Sequence, residues 1–157
     1  MTFASELTRM MESGAGLIVG TVSIDGEPRA DRAWGVSVVD PDERRIRFVM
    51  SADDAAVLEH LASGNVSLTG AEISTFRSIQ LKGRTVVVEA PTAEDIEMAR
   101  TQSEKFFEMV NVVDGNPVEH LRRMLPLETV AVEMVVAEMF DQTPGPSAGS
   151  TLAEPAP

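Results

Sequence analysis

Residues 47–68 read RFVMSADDAAVLEHLASGNVSL, and the spacing of their apolar side chains changes twice. The first residues of the stretch have the pattern of a β-strand. The apolar residues that follow recur on one helical face; they are Ala55, Leu58 and Leu61. Ser51, with Asp54 three residues later, predicts the start of this helix, and Gly64 predicts its end. The residues after Gly64 return to a strand pattern, so the stretch predicts a strand, a short helix and a strand in direct succession.

An antiparallel meander is predicted on the N-terminal side of this stretch. Residues 15–50 contain three strand-like runs. The runs are separated by Asp25-Gly26 and by the Asp-Pro-Asp of residues 40–42, and both sequences favour tight turns. A short amphipathic helix is predicted before the meander, in residues 5–12.

The C-terminal half adds two strands and two helices. Residues 77–90 and 128–140 have strand patterns. Between them, a long helix is predicted from Thr92 and a further helical turn from Pro117. Together with the elements above, this order predicts a mainly β protein, a six-stranded antiparallel barrel with helical caps.

The chain length suits one domain with its own core. Residues 1–140 are expected to form this domain, a single barrel. Residues 141–157 are rich in Pro, Gly, Ser and Ala, so they are expected to form an extended tail with a disordered far end.

Composition limits the function classes. The 157 residues carry 25 acidic and 13 basic side chains, and the formal net charge of -12 repels phosphate-rich partners. We therefore expect no binding to nucleic acid or to a membrane, and an anionic ligand must meet a local basic pocket. The absence of cysteine excludes disulfides, thiol catalysis and thiolate metal sites. Because the first residues show no basic leader and no long apolar run, a cytoplasmic protein is expected.

The histidines and the acidic clusters have simple structural interpretations. His60 and His120 fall in predicted helices beside acidic neighbours, and no ligand-like spacing recurs. Both are expected at the surface, and no metal site is predicted. The acidic clusters in residues 40–45 and 92–97 are explained by turn formation and helix capping. These patterns leave the catalytic residues unknown.

Basic residues concentrate in residues 74–84, STFRSIQLKGR, within a strand pattern. Alternation along a strand places Ile79 and Leu81 on one face. The opposite face carries the polar side chains, which are Ser78, Gln80, Lys82 and Arg84. This polar face is either a solvated outer surface or a surface that binds an anionic ligand.

A second candidate surface lies on the second strand, where Arg32 and Trp34 share one face. A guanidinium beside an indole can stack on it and grip an anion. The same pair is equally suited to bury a subunit interface.

Four of these stretches together resemble the pyridoxamine 5'-phosphate oxidase-like family of FMN-binding split barrels. The most specific is residues 47–68, with its uninterrupted strand, helix and strand. Residues 16–30, GLIVGTVSIDGEPRA, resemble the opening hairpin, and residues 77–84, RSIQLKGR, the next long strand. The ending FDQTPGPSAG, residues 140–149, resembles one branch of this family.

The resemblance implies a homodimer with two flavin sites at the subunit interface, each built from outer strand faces of both chains. It implies that a Ser-Arg-Lys run at the start of the short helix and an arginine in the second strand hold the FMN phosphate. These positions carry Asp54, Ala55 and Ala56, and Asp31 in the second strand. A polar contact early in the long strand falls on Ser78 rather than on glutamine.

Three hypotheses about function follow from the sequence. The first is an FMN-binding oxidoreductase of unknown substrate, in which the protein positions the flavin. Its candidate cofactor-binding residues are Arg32, Met50, Ser51, Ser78, Gln80 and Lys82. The alternative is a split-barrel dimer that has lost FMN and acts as a small-molecule-binding or interaction module. The third keeps oxidoreductase chemistry and uses deazaflavin or haem instead.

Overall fold

The computed structural model describes residues 3–152, in which six strands close into an antiparallel barrel. The strands are β1 (Gly16–Val22), β2 (Pro28–Asp40), β3 (Arg45–Ser51), β4 (Asn65–Ala71), β5 (Ser78–Glu89) and β6 (Thr129–Asp141). Their order around the barrel is β1-β2-β3-β6-β5-β4, and every neighbouring pair is antiparallel. The predicted six-stranded antiparallel barrel with helical caps is confirmed.

Helices occupy the connections between strands. They are α1 (Phe3–Glu12), α2 (Ala55–Ala62), α3 (Ala93–Asp114) and α4 (Val118–Leu121), followed by a 3-10 turn (Arg122–Met124). The helix α3 begins after Thr92, as predicted, with a reciprocal capping box between Thr92 and Asp95. None of the helices within residues 3–152 combines the length and apolar character needed to span a membrane.

The start of α2 differs from the prediction. Asp54, rather than Ser51, caps this helix, because its carboxylate accepts the backbone N–H of Ala56 at 2.9 Å. The Ser51 hydroxyl instead accepts the N–H of Asp53 at 3.1 Å, at the end of β3. The predicted end is confirmed, since Gly64 follows the last turn with a φ of +91°, a conformation that favours glycine.

Two apolar clusters divide the interior. The barrel core is filled by alternate side chains of the strands and is closed at its ends by α1 and α2. The second cluster lies outside the barrel, where Trp34 on β2 packs against Phe106 and Phe107 of α3. Gly35 allows this close packing, because an added Cβ would lie 2.9 Å from the Cα of Ala99.

Trp34 is 6% exposed and its ring centroid lies 6.1 Å from that of Phe107. The interpretation of Trp34 as a subunit-interface residue is therefore wrong, because a helix of the same chain already covers it. The strand pattern could not reveal this, since α3 reaches β2 from a distant part of the sequence.

A buried ionic cluster fixes the beginning of α3 to the barrel. The Arg47 guanidinium makes two bonds of 2.8 Å to the Asp95 carboxylate and also contacts Glu89 at 2.8 Å and Glu133 at 3.1 Å. The hydrogen bonds from Arg47 hold the pKa of Asp95 well below its usual range, and the Asp95 carboxylate raises the pKa of Arg47. Asp95 thus has two roles: it takes part in the cap of α3, and it binds α3 to Arg47 of β3.

This cluster predicts acid sensitivity. The folded-state pKa of Asp95 is lowered, so its stabilising contribution is complete above the unfolded-state pKa of about 4 and is lost as the pH falls below it. Asp95→Asn should lower the free energy of unfolding by about 2 kcal/mol at pH 7, and the difference from the wild type should shrink toward pH 2. Urea unfolding across this pH range measures the difference.

Glu94→Gln is the matched control, because it removes one negative charge from the same helical turn at an exposed position. Its difference from the wild type should stay below about 1 kcal/mol. An Asp95→Asn difference that is constant from pH 2 to pH 7 would contradict the role of the carboxylate.

The C-terminal segment folds back on β6. Gly149 donates its backbone N–H to Asp141 at 2.7 Å, and Leu152 donates to Met139 at 2.8 Å. The Leu152 side chain packs on the barrel core. The predicted extended tail is therefore wrong for residues 142–152, because these bonds return the chain to the barrel. Residues 153–157, where disorder was predicted, lie outside the described residues.

Candidate functional site

The outer face of β1, β4, β5 and β6 carries a polar row across the barrel. The register of the strands places Gly20 beside Ser67, Ser67 beside Lys82, and Lys82 beside Glu138. Two residues further along each strand, and therefore on the same face, Asn65 pairs with Arg84. Because side chains at paired positions point to the same face, these polar groups form one continuous surface.

This surface forms an open groove of about 610 Å³. We call it the basic groove; its charged lining residues are Arg29, Lys82, Arg84 and Glu138, and its polar ones are Thr21, Asn65 and Ser67. Gly20 leaves part of its floor without a side chain. Three cations thus face one carboxylate in a chain whose net charge is -12. The basic groove is therefore a local basic pocket of the kind that an anionic ligand requires in this protein.

Two of the three cations are held by neighbouring groups. The Lys82 ammonium lies 4.7 Å from the centroid of the Phe140 ring, a favourable cation–π contact. The Arg84 guanidinium lies against Gly64, where an added Cβ would come within 2.8 Å of its Nη2. Gly64 thus ends α2 and leaves room for Arg84.

The third cation, Arg29, is paired with the start of α2. Its Nη1 lies 3.4 Å from the Oδ2 of Asp54, while Oδ1 of the same carboxylate accepts the Ala56 N–H at 2.9 Å. Both side chains are half-exposed, at 49% for Arg29 and 42% for Asp54. A carboxylate of the chain itself therefore occupies the helix start beside the basic groove.

Of the six candidate cofactor-binding residues, Lys82 lines the basic groove. Gln80 lies one row away, where its Nε2 donates to Thr69 at 3.2 Å and its Oε1 accepts from Gln142 at 3.2 Å. The Ser78 hydroxyl donates to the backbone oxygen of Phe76 at 2.9 Å.

The remaining three candidates lie away from the basic groove. The Arg32 guanidinium lies 5.7 Å from the centroid of the Phe106 ring, beside α3. The Met50 side chain is enclosed in the barrel core, with 0% exposure, and Ser51 is 7% exposed at the end of β3. A cofactor contact from Met50 would have to come from its backbone. The assignment of these residues to a cofactor stays a prediction.

Several lining residues were missed because the sequence does not reveal strand register. Asn65 and Ser67 alternate in β4 as Lys82 and Arg84 do in β5. This alternation shows that the four side chains share one surface only when the register between β4 and β5 is known. Arg29 lies on β2 and enters the basic groove from the far side of β1. No local pattern connects it to Lys82.

His60 is buried, at 7% exposure, and its Nδ1 lies 3.4 Å from the Thr21 hydroxyl. The prediction of a surface position is wrong for His60, because α2 packs this face against the end of the barrel. His120 is exposed, as predicted. Within residues 3–152, no group of three or more acidic or histidine side chains is arranged to hold a metal ion.

A second cleft, of about 200 Å³, lies beneath α3. Its lining is mainly apolar and includes Trp34, Val49 and Leu125. The charged residues at its edge are already paired, Arg100 with Glu97 at 2.6 Å and Glu104 with Arg122 at 2.7 Å. The basic groove is therefore better suited than this cleft to an anionic ligand.

A flavin phosphate fits one part of this surface and not another. The basic groove offers cations and a floor with little side-chain bulk, which suits a flat anionic molecule. The start of α2 offers Asp54, Ala55 and Ala56, and the N–H of Ala56 already has the Asp54 carboxylate as a partner. The phosphate contacts implied by the resemblance are therefore not formed at this helix start.

Comparison with solved structures identifies the fold. HupZ from Group A Streptococcus has a TM-score of 0.54 and 13% identity, over 92% of this chain and 98% of that chain. An F420 reductase has a TM-score of 0.54 and 13% identity, over 83% and 93%. A candidate pyridoxamine 5'-phosphate oxidase from Lactobacillus delbrueckii has a TM-score of 0.51 and 15% identity, over 86% and 90%.

These likenesses show that the chain has the split-barrel fold found in pyridoxamine 5'-phosphate oxidase-like proteins. The predicted fold family is confirmed. Neither the protein-family models nor the curated proteins give a match to the sequence. At identities of 13–15%, the solved structures establish the architecture, and the site has to be argued from this chain's own residues.

Proposed function

We propose that the protein binds a flavin-type cofactor, FMN or a deazaflavin, in the basic groove and acts as a cytoplasmic oxidoreductase. The observation that carries this proposal is the convergence of Arg29, Lys82 and Arg84 in one groove of an acidic chain. The names of two solved relatives in fold, a candidate pyridoxamine 5'-phosphate oxidase and an F420 reductase, support it.

The size and chemistry of the groove suit such a ligand. Its volume of about 610 Å³ falls within the usual range for small-molecule sites. The flavin ring would supply the redox chemistry. Lys82 and Arg84 hold the anionic part of the ligand through charge-assisted hydrogen bonds, and the hydroxyl of Ser67 is available to its polar edge.

The floor of the groove also suits a flat ring. Gly20 has no side chain, so it exposes backbone beside the side chain of Val22. A planar ring gains most from close contact with such a surface, because dispersion falls steeply with distance.

The proposal includes a homodimer, for which light scattering should give a mass near twice 16.9 kDa.

A second candidate function is a ligand-binding or interaction module without flavin. The observation that favours it is Asp54, which places a carboxylate at the helix start where the resemblance implies phosphate contacts. In that case the basic groove serves another anion, and the purified protein lacks visible absorbance. The absorbance spectrum separates the two candidates and would also reveal haem.

Titration with FMN, followed by flavin fluorescence, tests the proposal. Lys82→Ala and Arg84→Ala should each weaken FMN binding about tenfold or more, because a hydrogen bond to a charged group contributes roughly 1.5–3 kcal/mol. The affinity for riboflavin, which lacks the phosphate, should change less than twofold with either substitution. The titration extends to millimolar FMN.

Arg123→Ala is the matched control, since Arg123 is an exposed basic residue of the 3-10 turn outside the groove. It removes the same unit of charge and should leave FMN binding unchanged. Absence of binding by the wild type, or an equal loss in Arg123→Ala, would show that the groove does not hold the cofactor.

A further inference from the structure

The carboxylate of Asp54 lies at the edge of the basic groove, although Asp54 is not one of the residues that line it. Asp54 reaches the groove through Arg29, whose Nη1 lies 3.4 Å from the carboxylate. The other carboxylate oxygen is held by the backbone N–H of Ala56 at 2.9 Å. This second bond fixes the carboxylate at the helix start, so it stays beside Arg29.

We infer that Asp54 is a specificity-determining residue, which disfavours doubly charged phosphate monoesters in the basic groove and favours ligands with a single negative charge. The inference deepens the proposed function and rests on it. Asp54 acts through Arg29 rather than by touching the ligand.

The charge balance of the groove supports this inference. Its three cations are opposed by Glu138 within the groove and by Asp54 at its edge. About one positive charge is therefore left uncompensated, which one carboxylate or phosphodiester would neutralise. A phosphate monoester carries close to two negative charges at neutral pH, and its second charge meets like charge from Asp54.

The helix start gives a second reason. A phosphate that approached α2 would need its first N–H groups, and Asp54 already accepts the N–H of Ala56. The phosphate would also have to separate Arg29 from Asp54 before it could use that guanidinium. Because both side chains are half-exposed, solvent weakens the pair and limits the effect to a moderate one.

Asp54→Asn isolates the charge. Asparagine is as good a helix N-cap as aspartate, so the variant keeps the start of α2 and loses only the negative charge. We expect Asp54→Asn to tighten FMN binding about fivefold and to change riboflavin binding less than twofold. Asp53→Asn is the matched control, since the neighbouring Asp53 carboxylate faces the N–H of Glu128 rather than Arg29.

A double-mutant cycle with Arg29→Ala shows whether Asp54 acts through Arg29. The wild type, Asp54→Asn, Arg29→Ala and the double variant are each titrated with FMN and with riboflavin. In the Arg29→Ala background, the gain from Asp54→Asn should fall below about twofold. Circular dichroism confirms that each variant is folded.

The outcomes separate this inference from the proposed function. If no variant and no wild-type protein binds either flavin, the proposed function and this inference both fail. If the wild type binds FMN and Asp54→Asn binds it no better, only the role of Asp54 is overturned. The role of Asp54 would also be overturned if Asp54→Asn raised the affinities for FMN and riboflavin equally, or if Asp53→Asn raised the affinity for FMN as much as Asp54→Asn does.

Discussion

Arg47→Ala should lower the free energy of unfolding by about 3–5 kcal/mol, the cost of removing one partner from a buried ion pair. The side chain of Arg47 is 11% exposed and contacts Asp95, Glu89 and Glu133. Its removal leaves Asp95 and Glu89 without their cation and leaves Glu133 with the longer contact to Arg45 at 3.9 Å, while the start of α3 loses its ionic contact with β3. Urea unfolding at pH 7 measures the change.

Arg100→Ala gives the matched comparison, because Arg100 lies on α3, the helix that the Arg47 cluster holds on the barrel. Arg100 pairs with Glu97 at 2.6 Å, but both side chains are more than 60% exposed, at 64% and 63%. Its loss should cost less than about 1 kcal/mol. Equal effects of the two substitutions would show that the buried cluster does not hold α3 on the barrel.

Gly83→Ala should destabilise the barrel by about 3 kcal/mol or more, at the upper end of overpacking effects. A Cβ at this position would lie 2.0 Å from the backbone oxygen of Val135, where the ladder between β5 and β6 shifts register. A backbone atom in a paired strand cannot move aside as a side chain can. The strands β5 and β6 would have to separate locally.

Gly20→Ala is the comparison for this prediction. Its added Cβ would lie 2.6 Å from the hydroxyl of Ser67, the end of a side chain that can rotate. We expect a cost of about 1 kcal/mol or less. Thermal unfolding of both variants measures the two costs in stability. A Gly83→Ala protein as stable as Gly20→Ala would contradict the tight contact between β5 and β6.

The elements of the fold could be predicted because their signals are local. Asp25-Gly26 specifies a hairpin turn, and Thr92 with Asp95 specifies a helix start, whatever the rest of the chain does. The sequence predicts the cap of α2 at Ser51 instead of Asp54 because both residues can cap a helix; in the structure, β3 continues through Ser51. Which of two candidates is used depends on where the strand ends.

The site could be predicted only in part because it is assembled across strands. The alternation of β5 places Lys82 and Arg84 on one face, and this much is readable in the sequence. The register that adds Ser67 and Glu138, and the barrel closure that adds Arg29, are products of long-range pairing. The buried Arg47 cluster is likewise invisible, since its carboxylates come from separate elements.

The most direct test of the basic groove as the ligand site is an NMR titration of the ¹⁵N-labelled protein with FMN. We expect the largest amide shifts at Gly20, Ser67 and Gly83, which lie on the floor and wall of the groove. Shifts concentrated instead at Ala99 and Leu125, in the cleft beneath α3, would contradict the assignment.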